Sequence, residues 1–487
     1  MRNTVAVIPS VVMIAVGLLP GRSLGQTLMW GPEEQVGPGG SDYLRPRVHA
    51  TADGKAVVLW GDDATHTVRM GVKDGANWIL SELSGEVEGH PYVLDWTGPE
   101  SAADANGAWA VYGAGMMAEG PIYLHRTSGG IPGATDTLRI DPPVGHEYKM
   151  PSVASMDNGE AVILVMRTVI GWSEAEYVLL RTTGGGTAVL PEVPVSLPVA
   201  LGEACDCCTG TVVANGNTVV ALFRNNFNDL RTVWAAVSYN GGASFLDGAE
   251  VDPTGWTIAA CPSSGPDAYF ATDSVHCVFM SAEVNGTKSY GRSFDPATLA
   301  AGTLVELHPG QPMNKSQNYP RIAGAGDTLG VAWQQGQVGQ FEILFRWSVS
   351  GWGGMSDPDT VNLALATSQK NPDVAFRDGV FHLVWQDAAT NSVHYRSAQV
   401  VDDVGLADGA QQPALRIYPT LVSDRISVVG AEPGTPFRIV DQHGAVVYFG
   451  RLATSAIGIE HLRTGVYSFV TEPVLGTPRA ARFIKTP

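Results

Sequence analysis

The sequence predicts an all-β protein: a seven-bladed β-propeller followed by a small, separate β domain. Three observations carry this. The composition is turn-rich, one hairpin phrase recurs at near-constant spacing, and a polar stretch after residue 400 separates a tail with a different pattern. The chain has 487 residues with 57 Gly, 31 Pro and 16% charged residues, and helical periodicity is sparse, as in large all-β proteins.

At the N-terminus, Arg2 precedes the apolar run VAVIPSVVMIAVGLLP and the small-residue stretch GRSLGQ. Residues 1–25 therefore read as a secretory signal peptide. The run is short for a membrane span and contains Pro9, so a retained anchor is the alternative reading. No later stretch approaches the roughly 18 to 20 continuous apolar residues a span needs. The mature chain is expected to be exported, without a transmembrane segment, in a compartment where disulfides form. A formal charge of −18 and the lack of a basic stripe exclude nucleic acid as a natural partner.

From residue 45 the chain repeats a proline, a short apolar strand, a turn and an apolar strand ending in a large residue. The seven phrases are RPRVHATADGKAVVLW, HPYVLDWTGPESAADANGAWAVY, MPSVASMDNGEAVILVM, CCTGTVVANGNTVVALF, GPDAYFATDSVHCVF, YPRIAGAGDTLGVAW and NPDVAFRDGVFHLVW. Their closing residues, Trp60, Tyr112, Met166, Phe223, Phe279, Trp333 and Trp385, are spaced by 52, 54, 57, 56, 54 and 52 positions. Asp53-Gly54, Asn106-Gly107, Asn158-Gly159, Asn215-Gly216 and Asp378-Gly379 supply the φ > 0 residues of tight two-residue loops, so each phrase is a β-hairpin. Further strand-like sequence after each, such as TVRMGVKDGANWILSEL, gives about four strands per unit, and seven such units make a propeller. Six blades would require two phrases to share one sheet. The last unit is one strand short, and residues 27–36, TLMWGPEEQV, are expected to complete it and close the ring. The closing residues then belong to the core between blades.

The third-to-fourth-strand turns KDGANW (73–78) and SYNGGASF (238–245), with looser echoes in RTSGG and RTTGGG, resemble degenerate Asp-box turns. Asp-boxes belong to the sialidase-like (neuraminidase-repeat, BNR) propellers, and the resemblance spans residues 27–400. An Asp-box is itself a turn and carries no chemistry.

After the linker 401–413, residues 414–487 contain LRIYPTLVSDRISV, FRIVDQHGAVVYFGRL, IGIEHLRTGVYSFV and the terminal RFIKTP. Periodicity alone says only a small β domain with turns at Gly444 and Gly465, and a carbohydrate-binding module is one alternative. The ordered motifs resemble the type A C-terminal sorting domain of type IX secretion substrates from Bacteroidota. That resemblance implies a small β-sandwich recognised by the type IX machinery at the outer membrane, after Sec export through the periplasm. The protein would then be released or attached at the cell surface. Thr420 departs from the family, which has Asn after Tyr-Pro.

Aligning the seven phrases puts Pro46, Pro91, Pro151, Pro266, Pro320 and Pro372 in one column, with Cys208 in the seventh place. Proline there suits the first residue of an inner strand. The preceding residues, Arg45, His90, Met150, Cys207, Gly265, Tyr319 and Asn371, are expected to ring a channel mouth and to form the ligand-binding candidates. The stretch GEACDCCTG crowds Cys205, Cys207 and Cys208 together, and Cys261 approaches from the next blade. If extended, Cys205 and Cys207 are about 6.5 to 7 Å apart on one side and Cys208 faces away. Cys261 is therefore the natural disulfide partner of one of them. The alternatives are a Cu or Zn site, with His90, His146 or Met150 as further donors, or free redox thiols. Cys277 reads as a buried small hydrophobe.

The sialidase resemblance implies three arginines for a substrate carboxylate, a Tyr nucleophile with a Glu partner, and an Asp acid/base. Arg45 in YLRPRV partly matches the family's Tyr-Arg-Ile-Pro, and Arg224, Arg321 and Tyr319 are the remaining catalytic candidates. The Ile is absent and that family has six blades. No phosphate loop, zincin helix or nucleophile elbow is present. Binding of a glycan, protein or soft metal at the mouth is thus the leading expectation, with an exo-sialidase-like glycoside hydrolase as the alternative.

Overall fold

A computed structural model describes residues 26–38, 43–62, 64–84, 91–103, 107–115, 120–128, 131, 137–283, 286–337, 339–402, 415–471 and 479–487. The signal-peptide assignment, His90, Asn106 and nearly all of the linker fall outside them. No helix among the described residues is long and apolar enough to cross a membrane. The chain divides into two compact units, one spanning Thr27–Val401 and the other including Asp402–Pro487.

The first unit is a seven-bladed β-propeller. Its innermost strands are Tyr43–Ala50, Glu100–Ala103, His146–Ser155, Thr211–Asn215, Asp267–Phe270, Ser316–Ala325 and Gln369–Arg377, each starting a four- or five-stranded antiparallel sheet. Successive inner strands are neighbours around the ring, and Gln369–Arg377 lies beside Tyr43–Ala50, which closes it. The second strand of each blade, such as Ala56–Asp62 or Ala161–Val169, is apolar almost throughout because neighbouring blades cover both of its faces. All seven closing residues are buried.

Closure of blade seven follows the sequence expectation. Gln26–Trp30 forms its outermost strand against Ser392–Asp402, and Glu34–Gln35 pairs with His394 and Tyr395. Glu34 then reaches blade one, accepting a hydrogen bond from Trp78 Nε1 at 3.0 Å and pairing with Lys73. Val36 is buried with Val48, Trp60 and Tyr395. The ring is thus fastened by the start of the propeller chain.

Two local expectations are corrected. Among the described pairs, only Asp378-Gly379 places both residues at positive φ, 49° and 80°, in a two-residue loop between Arg377 and Val380. At Asp53-Gly54 only the glycine is left-handed; Gly54 N donates to Thr51 O and Thr51 N to Lys55 O, both at 2.9 Å. That is a longer loop with a glycine bulge. Four of the column prolines also do not begin their strands. Pro46, Pro151, Pro320 and Pro372 sit inside the inner strands at register shifts, where a bulge leaves the missing N–H without a ladder partner to lose.

Within the second unit, Arg416–Tyr418, Arg425–Val429 and Ala456–Gly458 form a three-stranded sheet. Leu421–Val422, Ala480–Lys485, Gly465–Thr471, Pro436–Asp441 and Val446–Arg451 form a five-stranded one. Alternating residues such as Ile426, Val428, Phe437, Ile439, Phe469 and Phe483 make its core.

Trp385 is fully buried and its Nε1 donates to Gln369 Oε1 at 2.8 Å. Trp385→Ala is expected to lower stability by about 3–5 kcal/mol, read as a shift in the denaturant midpoint of the propeller transition.

Candidate functional site

Strand pairing redraws the ring at the channel end. Arg47, Glu100, Thr211, Asp267, Arg321 and Asp373 stand opposite Leu59, Val111, Leu222, Val278, Ala332 and Val384, each just before a closing residue. The residues one position earlier are therefore Pro46, Pro99, Gly210, Pro266, Pro320 and Pro372. Blade two uses Pro99 in place of Pro91, and blade four uses Gly210 in place of Cys208. Thr209, not Cys207, belongs to the ring; a Cβ on Gly265 would meet Thr209 O at 1.8 Å, so only glycine fits there.

Four ring residues are non-glycine residues in the left-handed region: Arg45 (φ 51°), Met150 (51°), Tyr319 (49°) and Asn371 (51°). Such backbone costs about 1–3 kcal/mol per residue and persists where surrounding structure enforces it. Yet the ring is not an open mouth. Arg45, Met150 and Asn371 are buried. The segment 91–99 crosses them: Asp95 accepts from Asn371 Nδ2 at 3.2 Å and pairs with Lys370 at 3.4 Å, while Trp96 packs edge-on against Trp172 of blade three. Beneath it, a cavity of about 20 Å3 between Arg45, Thr209, Tyr319 and Asn371 has room for about one water.

Just inside the ring lies an ionic cluster. Glu100 accepts from Arg47 Nε (2.8 Å) and Nη2 (2.9 Å), from Arg45 Nη2 (2.8 Å) and from Arg321 Nη2 (3.2 Å). Arg321 Nε also reaches Asp373 at 2.7 Å and Asp267 at 3.4 Å. Three guanidinium groups thus face three carboxylates with no net charge. Asp373 Oδ2 accepts from Val48 N at 2.9 Å and Asp267 Oδ2 from Ile322 N at 2.8 Å, so each carboxylate also ties the next blade's inner strand. Burial alone would raise the pKa of Glu100, but Arg47, Arg321 and Arg45 hold it well below the usual carboxylate range. Burial and the nearby Arg47 lower Arg45 to about 10. For Asp267 burial prevails over Arg321 and its pKa is raised.

Sequence reasoning missed Arg47, Glu100, Asp267 and Asp373, although a signal existed: Pro46-Arg47, Pro99-Glu100, Pro266-Asp267, Pro320-Arg321 and Pro372-Asp373 each put a charge directly after a proline. Of the nominated arginines, Arg45 and Arg321 do converge, but on internal carboxylates. Arg224 lies elsewhere, donating to the backbone carbonyls of Ser264, Arg231 and Met280 as a staple between blades four and five. Tyr319 has no carboxylate hydrogen-bonded to its phenol among the described residues, and burial pushes its pKa up to about 12.

Beyond the cluster the channel widens to a cavity of about 430 Å3 lined by all seven inner strands. Its floor is formed by Glu100, Asp267, Arg321 and Asp373. Its walls carry His49, Ser101, Ser152 and Thr211, and Ser155, Ala214, Phe270 and Arg377 line the end near the hairpin turns. Those last four are half-exposed, and Asp157 beside them is exposed. The channel therefore opens at the end opposite the one expected.

The cysteines meet through a turn. Cys208 N donates to Cys205 O at 3.2 Å, which overturns the extended reading and brings the Cys205 sulfur to 3.2 Å from Cys208 and 3.6 Å from Cys207. Cys207 is joined to Cys261 by a disulfide with a Cα–Cα distance of 6.1 Å, linking blade four to the segment entering blade five. Arg231 Nη1 donates to Cys205 Sγ at 3.0 Å. The hydrogen bond with Cys208 and the nearby arginines outweigh burial and bring the Cys205 thiol down to about 6, while burial drives Cys208 up. A thiophilic ion would find two thiols here with the bridge intact and three sulfurs only with it open; among the described residues no histidine joins the cluster. Cys277 is buried in Val275–Glu283 and its thiol is pushed up to about 12 by burial.

No family model matches the chain, and no curated protein matches it. Several solved structures are similar. One is PorZ, an essential bacterial surface component of the type-IX secretion system of Porphyromonas gingivalis, at 15% identity and a TM-score of 0.44. That alignment covers 93% of this chain and 60% of the PorZ chain, so this chain spans less than two thirds of PorZ. A PL25 ulvan lyase is similar at 9% identity and TM-score 0.48, over 76% of this chain and 95% of the lyase. The α-L-arabinanase of Penicillium chrysogenum follows at 12% and 0.39, over 77% and 98%.

Glu100→Gln leaves three arginines facing two carboxylates and should destabilise the propeller by about 3–5 kcal/mol. Because the folded pKa of Glu100 is depressed, its contribution is present above the unfolded value near 4.5 and is lost as pH falls below it. Asp267, whose pKa is raised, acts with the opposite sign in both proteins. Denaturation midpoints measured from pH 7 to pH 3 should therefore fall more steeply for the wild type than for Glu100→Gln.

Proposed function

We propose that this chain is an exported binding protein that holds a short glycan in its central channel, and that residues 415–487 are the address read by the type IX secretion machinery. The observation that carries the first part is the cavity of about 430 Å3, within the range of small-ligand sites. Its mixture of hydroxyls, a histidine and a floor of arginine-paired carboxylates suits a polyhydroxylated ligand, and Phe270 and Phe376 among its lining residues add apolar surface for sugar faces. Binding is favoured over sialidase-type hydrolysis for two reasons. A substrate carboxylate would have to displace Glu100 from three arginines, and among the described residues Tyr319 has no hydrogen-bonded carboxylate of the kind a nucleophilic phenol needs. The second part is supported by the order of motifs from Leu415 to Lys485 and by the compact β core they form.

Ser155→Trp, which fills the half-exposed end of the channel, should weaken binding of whichever oligosaccharide a glycan panel selects by at least about tenfold in calorimetry. Unchanged affinity would remove the channel as the site, and release of free sugar from the panel would favour a hydrolase.

Deleting residues 415–487 should leave a folded propeller that accumulates in the periplasm, since the two β units have separate cores. Surface delivery of the truncated chain, followed by immunoblotting of fractions, would refute the address.

A further inference from the structure

The cysteine cluster holds, within one turn, a disulfide and a dithiol that can attack it. Cys205 and Cys208 have the Cys-x-x-Cys spacing, and both are free and fully buried. The Cys205 sulfur stands 3.6 Å from Cys207 Sγ, one half of the bridge, and 3.2 Å from Cys208 Sγ. The guanidinium of Arg231, 3.0 Å from Cys205 Sγ, is placed to stabilise a thiolate there. Of the four sulfur-bearing residues, only Cys261 is exposed.

We propose that GEACDCC is a thiol–disulfide exchange site in which Cys205 opens the Cys207–Cys261 bridge and releases Cys261 as a surface thiol able to react with an external disulfide. In the first step the Cys205 thiolate bonds to Cys207 Sγ as the Cys207–Cys261 bond breaks, and Cys261 leaves as a thiolate that takes a proton from water. In the second, Cys208 Sγ bonds to Cys205 Sγ, the Cys205–Cys207 bond breaks, and the Cys208 proton passes to Cys207 Sγ, 4.0 Å away. One disulfide exists throughout, so no oxidant or reductant is consumed. The bridge has three isomers, and the two formed by exchange present Cys261 as an exposed thiol on the segment entering blade five. An external disulfide meeting Cys261 then forms a mixed disulfide and loses one half as a thiol.

The test is native protein, purified without reductant and incubated with N-ethylmaleimide, followed by peptide mapping of alkylated and bridged cysteines. Wild type should accumulate alkylated Cys261 together with a Cys205–Cys208 bridge. Cys208→Ser should still label Cys261 but stop at a Cys205–Cys207 bridge. Cys205→Ser should slow Cys261 labelling at least tenfold. Arg231→Gln, which keeps all four cysteines, should slow it several-fold and covers the case in which Cys205→Ser does not fold, judged by its thermal transition. Labelling of Cys261 at the same rate in wild type, Arg231→Gln and a folded Cys205→Ser would overturn the proposal. So would a wild type that holds only the Cys207–Cys261 bridge and never labels, or one that carries stoichiometric copper or zinc on the cluster.

Discussion

Everything in the propeller is arranged around a buried pairing of three arginines with three carboxylates on the channel axis. Glu100 alone holds Arg45, Arg47 and Arg321, and Asp267 and Asp373 pass the connection into backbone amides of adjacent blades. Buried ion pairs gain little over apolar packing because desolvation offsets the attraction, but removing one member is costly. Such a cluster specifies geometry more than it adds stability. It ties neighbouring inner strands to one another, through Val48 N on Asp373 and Ile322 N on Asp267.

The same cluster decides what the two ends of the channel can do. With the segment 91–99 crossing outside it, one end is shut. The other widens into a cavity of about 430 Å3 lined by every blade. Chemistry that needs unpaired arginines is disfavoured where each guanidinium already has a carboxylate. Recognition by hydroxyl and carboxylate groups remains open to the channel walls.

How much was legible beforehand differs by level. Hairpins, blade number, the closing aromatics and the strand supplied by residues 27–36 follow from periodicity, because burial on both faces of the second strands leaves a strong apolar signal. Registers were less legible. Pro91 and Pro99 are equally good markers in sequence, and only pairing of Glu100 with Val111 decides between them. The charges after the prolines were visible, but their convergence depends on strands hundreds of residues apart. For GEACDCC the difference is local: the extended geometry does not apply, because the Cys208 amide folds back on Cys205 O.

The fastening of blade seven by Gln26–Trp30 has a consequence in time. Arg396 Nε donates to Gly31 O across 365 positions of sequence, so the first strand of the propeller has no partner until nearly the whole ring has been made. Loop closure over such a length is slow. A chain made N-terminus first therefore keeps its circle open, a pliable arc that becomes a rigid ring only when the last blade has arrived.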